Sequence, residues 1–204
     1  VKNGTYRTLT GLSSSISKEK GSKFIGLAIP VFSEEEAKRY LDAWRKEYSQ
    51  AQHLCYAYRI GADNSRIRYS DDGEPTNSAG TPILGQIQSF DLSNILIGVV
   101  RYFGGTKLGV GGLVQAYKGA AREAIEQGEI IESEVCDFLE LNFEYAAMPS
   151  VMRVLKKHHI QLLESDFNLS CSVHVKIPVN SIPLIANELT RVQSVKVISP
   201  ITNK

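Results

Sequence analysis

The run Ile95-Leu-Ile-Gly-Val-Val100 carries no charge and leads directly into Arg101-Tyr-Phe-Gly-Gly-Thr-Lys-Leu-Gly-Val-Gly-Gly-Leu113. No other feature constrains the fold as strongly. The run is far too short to cross a bilayer, which takes about 20 apolar residues. It reads instead as a strand buried on both faces. From about Gly111 the spacing predicts a helix to Gln127, ended by Gly128. Leu113, Tyr117, Ala120, Ala121 and Ala124 form its buried stripe, and Gln115, Lys118 and Arg122 fall on the other face. The chain therefore passes from a buried strand to a helix through a loop made largely of glycine.

The flanking sequence supplies the partners of that strand. Lys23 to Val31 reads as a strand closed by Pro30, and Ser33-Glu-Glu-Glu36 forms a capping box for a helix with Ala37, Tyr40, Leu41, Trp44 and Tyr48 on one face. Leu54 to Ile60 and Arg66 to Ser70 read as two strands around the turn-rich Gly61-Ala-Asp-Asn-Ser65. Thr81-Pro82 is expected to start a short helix, with Thr81 as its cap. After Glu134 the pattern restarts. Strands at Phe138 to Tyr145, Ile160 to Phe167, Ser170 to Ile177 and Ser194 to Ile201 alternate with helices at Met148 to His158 and Ser181 to Val192. That β-α-β-β-α-β order is the split-βαβ, ferredoxin-like arrangement. The expected fold class is α+β in two domains, residues 1–134 and 135–204, with the boundary near 133–137.

Composition excludes several classes. With 23 Lys and Arg against 22 Asp and Glu, the net charge is +1, so nucleic-acid binding would need a local basic patch. Cys55, Cys136 and Cys171 are odd in number and lack Cys-x-x-Cys spacing, which argues against a disulfide framework or zinc ribbon. The start Val1-Lys-Asn-Gly-Thr-Tyr6 has no charged head followed by an apolar core, so no signal peptide is expected and cytoplasm is the default.

Two segments carry candidate chemistry. In the first, Gly104, Gly105, Gly109, Gly111 and Gly112 bracket Lys107 between strand and helix. Glycine is kept where φ is positive or where something approaches the backbone. Free amides at the helix start favour an anion, and Arg101 needs an anionic partner or solvent. The alternative is a tight turn whose glycines only permit close packing. The segment is neither a P-loop nor a dinucleotide fingerprint. In the second, Ser70-Asp71-Asp72-Gly73-Glu74-Pro75, three carboxylates in four positions repel one another. They either hold a divalent cation such as Mg²⁺ or Mn²⁺, pair with Arg66, Arg68 or Arg101, or belong to a solvated turn. His53 and Cys55 share a face of a strand; packing for Cys55 and a polar edge role for His53 are the simpler reading.

Lys23-Phe-Ile25, His53-x-Cys55, Ser70-Asp-Asp-Gly-Glu-Pro75, Ala79-Gly-x-Pro82 and the Arg101–Leu113 segment together resemble the IMPACT/YigZ family over the whole first domain. One position departs: where the family usually has Gly-Thr before Ala-Gly, this chain has Asn77-Ser78, giving up a glycine. The resemblance implies a first domain folded like the second domain of a small-subunit ribosomal protein, an α+β sandwich, and a ferredoxin-like tail. It also implies a link to translation, since eukaryotic relatives regulate it.

Three functions follow. The preferred one is a non-enzymatic, translation-associated regulatory protein binding RNA or a ribosome-linked partner. Arg101, Lys107, Lys118 and Arg122 would contact phosphates, and Tyr102 or Phe103 would stack on bases. The second is a metal-dependent enzyme acting on a phosphate-containing small molecule, with Asp71, Asp72 and Glu74 around the cation. The third is a protein-interaction module without nucleic-acid binding.

Overall fold

The computed structural model describes residues 4–168 and 170–198, and the chain divides into two units. The first spans Tyr6–Ser133; the second runs from Glu134 and also includes Gly4 and Thr5.

The first unit is built on strands β2 (Ser13–Glu19), β3 (Ser22–Pro30), β4 (His53–Ile60), β5 (Arg66–Ser70) and β6 (Ile95–Tyr102). They form one sheet in the order β2-β3-β6-β4-β5, so the apolar run lies at its centre. β3 and β4 flank β6, both antiparallel to it. Alternate side chains of these strands face opposite layers. Ile25, Leu27, Ile29, Leu54, Leu96 and Val100 pack with Ala37 and Trp44 of α1 (Glu34–Glu47). Phe24, Ala28, Cys55, Ala57, Ile95, Ile97 and Val99 pack with α2 (Gly80–Ser89) and α3 (Gly109–Glu126). Gly98 interrupts the apolar run for a steric reason: a Cβ there would lie 2.8 Å from Cζ3 of Trp44. A further pair, β1 (Thr5–Leu9) and β7 (Ile130–Glu134), forms a two-stranded sheet that the alternation pattern did not reveal.

The cap of α1 is the expected one: Ser33 Oγ accepts from the Glu36 amide at 3.1 Å, while the Glu36 carboxylate accepts from Phe32 N at 2.8 Å. The start of α2 is different. The helix begins at Gly80, so Thr81 lies inside its first turn and does not cap it. The capping group comes from nine residues upstream: Asp71 Oδ1 accepts from the Ala79 and Gly80 amides at 2.9 and 2.8 Å. A carboxylate at a helix N-terminus satisfies orphan amides and favours the dipole, so the distant Asp71 displaces the local Thr81.

In the second unit, β8 (Cys136–Glu144), α4 (Met148–Lys157), β9 (Gln161–Phe167), β10 (Ser170–Pro178), α5 (Ile182–Thr190) and β11 (Lys196–Ile198) follow the order the pattern predicts. The sheet order is β11-β8-β10-β9, all antiparallel. Leu139, Leu141, Phe143, Val173 and Val175 pack against Val151 and Leu155 of α4 and Ile185 and Leu189 of α5. The last strand is shorter than expected at its start, and the expected positions 199–201 lie outside the described residues. Among the described residues, no helix is long and apolar enough to cross a membrane.

Candidate functional site

The acidic segment lies over the end of the sheet where β4 and β6 pair His53 with Arg101. Its three carboxylates do not converge. Asp71 caps α2, and its Oδ2 accepts from Asn77 N at 2.8 Å. Asp72 Oδ2 accepts from Leu54 N at 2.7 Å and from Arg45 at 2.5 Å. Glu74 turns inward to Arg101 Nη1 at 2.6 Å and accepts from the Tyr117 hydroxyl at 2.7 Å. Among the described residues, no group of three or more His, Cys, Asp and Glu side chains is arranged to hold a metal ion. Of the pairings expected from sequence, the structure has the one with Arg101, made by Glu74. Among the described residues neither Arg66 nor Arg68 forms an ion pair with it; Arg68 lies beside Tyr56 and Tyr58.

Arg101 is the main correction to the sequence reading. Its alternation puts it on the α2/α3 face of β6, where its side chain is 6% exposed and that of Glu74 4%. The anion it requires is internal. The guanidinium carbon also lies 5.6 Å from the ring centroids of both Phe24 and Phe103, and Nη2 reaches Ser22 Oγ at 3.4 Å. Tyr117 completes the cluster with its ring edge-on to Phe24. Burial is the first cause that pushes the Tyr117 phenol far above its ordinary value, with Cys55 and Glu74 adding to it. Arg101 is therefore a strut beneath the glycine loop and is not available at its surface.

His53 and Cys55 hold the acidic loop by its backbone. His53 Nδ1 lies 2.8 Å from the Asp72 carbonyl, and a carbonyl only accepts, so Nδ1 carries the proton. Nε2 is 3.8 Å from Glu74 Oε1. The Cys55 thiol donates to the Asp71 carbonyl at 3.0 Å. Burial pushes that thiol up to about 12, so it is not a nucleophile near neutral pH. Asn77 stands at φ +62°, a left-handed conformation that glycine adopts freely and asparagine tolerates. An asparagine in place of glycine is thus compatible with the conformation this position has.

The glycine loop itself faces outward. Phe103, Gly104, Gly105, Thr106, Lys107, Gly109, Val110 and Gly111 are exposed, Gly112 is half-buried, and Gly105 and Gly109 have φ of +87° and +70°. α3 starts two residues earlier than expected, at Gly109, and no side chain caps it. The N-termini of α1 and α2 are filled by Ser33 and Asp71; at that of α3, among the described residues, no side chain caps and Gly109, Val110 and Gly111 are exposed. Lys118 is exposed farther along α3. Arg122 is engaged, its Nε 2.7 Å from Glu126 Oε1, an exposed i,i+4 pair.

The sequence reading missed the hairpin between β2 and β3. Its turn, Lys20-Gly21, packs on Gly104, and Ser22 Oγ accepts from the Gly104 amide at 3.2 Å. A Cβ on Gly104 would overlap the Gly21 carbonyl carbon. Three lysines within six residues, Lys18, Lys20 and Lys23, were the available signal.

Comparison with known proteins is consistent across sequence and structure. A family model described as the Impact N-terminal domain matches residues 20–125. A Thermus thermophilus protein named "IMPACT family member in pol 5'region" is 44% identical over 147 residues, 71% of this chain and 77% of that one. "IMPACT family member YigZ" of Escherichia coli K12 is 33% identical over 161 residues, 78% of this chain and 79% of that one. A crystal structure described as that of a hypothetical protein aligns with a TM-score of 0.78 at 27% identity, covering 98% of this chain and 99% of that one.

Proposed function

The chain belongs to the IMPACT family, and on that premise we propose that it is a cytoplasmic, translation-associated regulatory protein that grips RNA phosphate at its glycine loop. The resemblance implies the link to translation, with a ribosomal-protein-like first domain and a ferredoxin-like second. One observation carries the phosphate reading. The exposed, uncapped N-terminus of α3 offers backbone amides and a partial positive charge beside Lys107, while the other two helices of the unit have theirs filled. Phe103 at 46% and Val110 at 57% exposure flank that point and offer apolar surface to a base. Arg101 contributes by bracing Phe103 and Glu74 from beneath.

Fluorescence anisotropy with a labelled single-stranded RNA at several salt concentrations tests this. Each phosphate contact on a single strand contributes about 0.7 to the slope of log K against log salt. Lys107→Ala is expected to weaken binding several-fold and to lower the slope by about that amount. Absent or salt-insensitive binding by the wild type refutes the proposal. Arg101→Ala is unsuitable as a probe, because it removes a buried strut.

A further inference from the structure

We propose that the free edge of β5 is a docking site for an extended peptide of alternating acidic and apolar residues. The peptide adds to the sheet as a further strand and sets its acidic side chains at the lip of a groove beneath α1. The site is separate from the glycine loop and does not depend on the phosphate reading.

The sheet ends at β5, which pairs with β4 on one side and leaves its outer amides and carbonyls for another strand. Arg66, Ile67, Arg68 and Tyr69 are all exposed. Register sorts them into two sets. Arg68 stands opposite Tyr58 and Ser70 opposite Tyr56, so Arg66 and Arg68 lie on the α1 face with the two tyrosines. Ile67 and Tyr69 alternate onto the α2 face, where they remain 45% and 47% exposed.

Between α1 and the β4–β5 pair lies a groove of about 640 Å³. Leu54, Tyr56 and Tyr58 form its floor, the two tyrosine rings stacked with centroids 6.4 Å apart. Lys38 and Asp42 stand on its α1 wall, and Arg68 forms the lip on the sheet edge. Most of its carboxylates are already held. Glu34 accepts from the Tyr58 hydroxyl. Hydrogen bonds at the α1 start, to its own backbone and to Ser33, hold the Glu35 carboxyl below its ordinary value, with a smaller contribution from Arg66. Asp72 takes the Leu54 amide and Arg45. That leaves Asp42 against Lys38, Arg66 and Arg68, which form no ion pair among the described residues. The edge is therefore complementary to acid.

Edge protection is the competing explanation, since charged side chains blunt exposed strands. It accounts for the arginines and leaves Ile67 and Tyr69 unexplained, because they present apolar surface along the same edge. Strand addition uses both sets. Residues directly opposite one another share a face, so acids fall against Arg66 and Arg68 and apolar side chains against Ile67 and Tyr69. A second copy of this chain fits less well: the centred antiparallel pairing of two β5 strands sets Arg68 against Arg68, a like-charge pair.

The test uses the full chain and a labelled, end-capped octapeptide of alternating glutamate and valine, followed by fluorescence anisotropy. Saturable binding is expected within about a millimolar peptide. Arg66→Ala/Arg68→Ala should weaken it between about twofold and thirtyfold, the range of two opposite-charge cross-strand pairs. Lys18→Ala on β2, at the other edge of the sheet, and Lys107→Ala are expected to leave it unchanged. An added strand bonds through one of its own edges. Methyl groups on alternate peptide amides should therefore abolish binding in one phase and spare it in the other. Absence of saturable binding overturns the proposal, as does an unaltered affinity in the double arginine variant. Equal effects of the two methylation phases overturn strand addition. A loss with Lys18→Ala or Lys107→Ala, or displacement of the peptide by an oligouridine, overturns the assignment of an acidic peptide to this edge.

Discussion

Replacing Glu74 by alanine tests whether the Arg101 pair is a buried strut. Both side chains are at most 6% exposed, so solvent cannot take over the role of the lost carboxylate. Arg101 Nε already lacks a hydrogen-bond partner, and without Glu74 the remaining side-chain hydrogen bond of the guanidinium among the described residues is to Ser22 at 3.4 Å. Removing one member of a buried pair costs about 3–5 kcal/mol, because the other charge is left uncompensated. The Tyr117 hydroxyl loses its acceptor as well, adding about 1 kcal/mol. The sum is about 4–6 kcal/mol, which for a unit of this size lowers Tm by roughly 15–20 °C. Trp44 is the single tryptophan and lies buried in the same unit, so its fluorescence in a urea titration reports the relevant transition. The double variant Glu74→Leu/Arg101→Met removes both charges and is expected to recover most of the loss, since apolar replacements of buried pairs are often neutral. A double-mutant cycle should give a coupling above about 2 kcal/mol. A loss under 1 kcal/mol for Glu74→Ala, or additive single and double effects, would mean that water reaches the pair and would refute the strut.

Two further outcomes follow from the same geometry. Gly104→Ala should cost well over 2 kcal/mol, because the clash is with backbone at Gly21 and the hairpin must move, whereas Gly111→Ala, with open space around it, should change stability by no more than about 1 kcal/mol; equal urea midpoints for the two variants would contradict the contact. Cys55 gives a pH dependence. Burial, followed by the carboxylates of Glu74, Asp72 and Asp71, raises the folded thiol to about 12 from an ordinary 9.0, so the folded state keeps a proton that the unfolded chain releases. That stabilisation is complete below pH 9 and is lost as pH rises toward 12. Between pH 9 and 10 wild type should lose on the order of 1 kcal/mol that Cys55→Ala does not lose, the tyrosines being common to both; parallel curves would sink the assignment.

The sequence disclosed the central strand, both helical faces and the order of the second unit, because each is written in local periodicity. β1, β7 and the strand β2 were hidden for the opposite reason. Ser13–Glu19 alternates buried and exposed serines, whose hydroxyls at positions 13 and 15 donate to the Ala124 and Ala120 carbonyls of α3. A strand that packs through hydrogen bonds to a helix backbone leaves no apolar alternation to read.

The candidate site was legible in its residue types and misleading in its partners. Arg101 and Lys107 are cations of one segment and read alike. What separates them is register. Position 101 is the last inward position on a central strand, so its charge must be met by protein, and Glu74 meets it. Position 107 lies beyond the strand and keeps its charge in water. The same reasoning splits the acidic loop, where Asp71 serves a helix start, Asp72 a strand amide and Glu74 the strut. The most distinctive charges of the chain thus build the platform, and the plainer Lys107 beside it stays at the surface. Charge type is a local property of the sequence; whether a charge is structural or at the surface depends on partners nine to twenty-seven residues away.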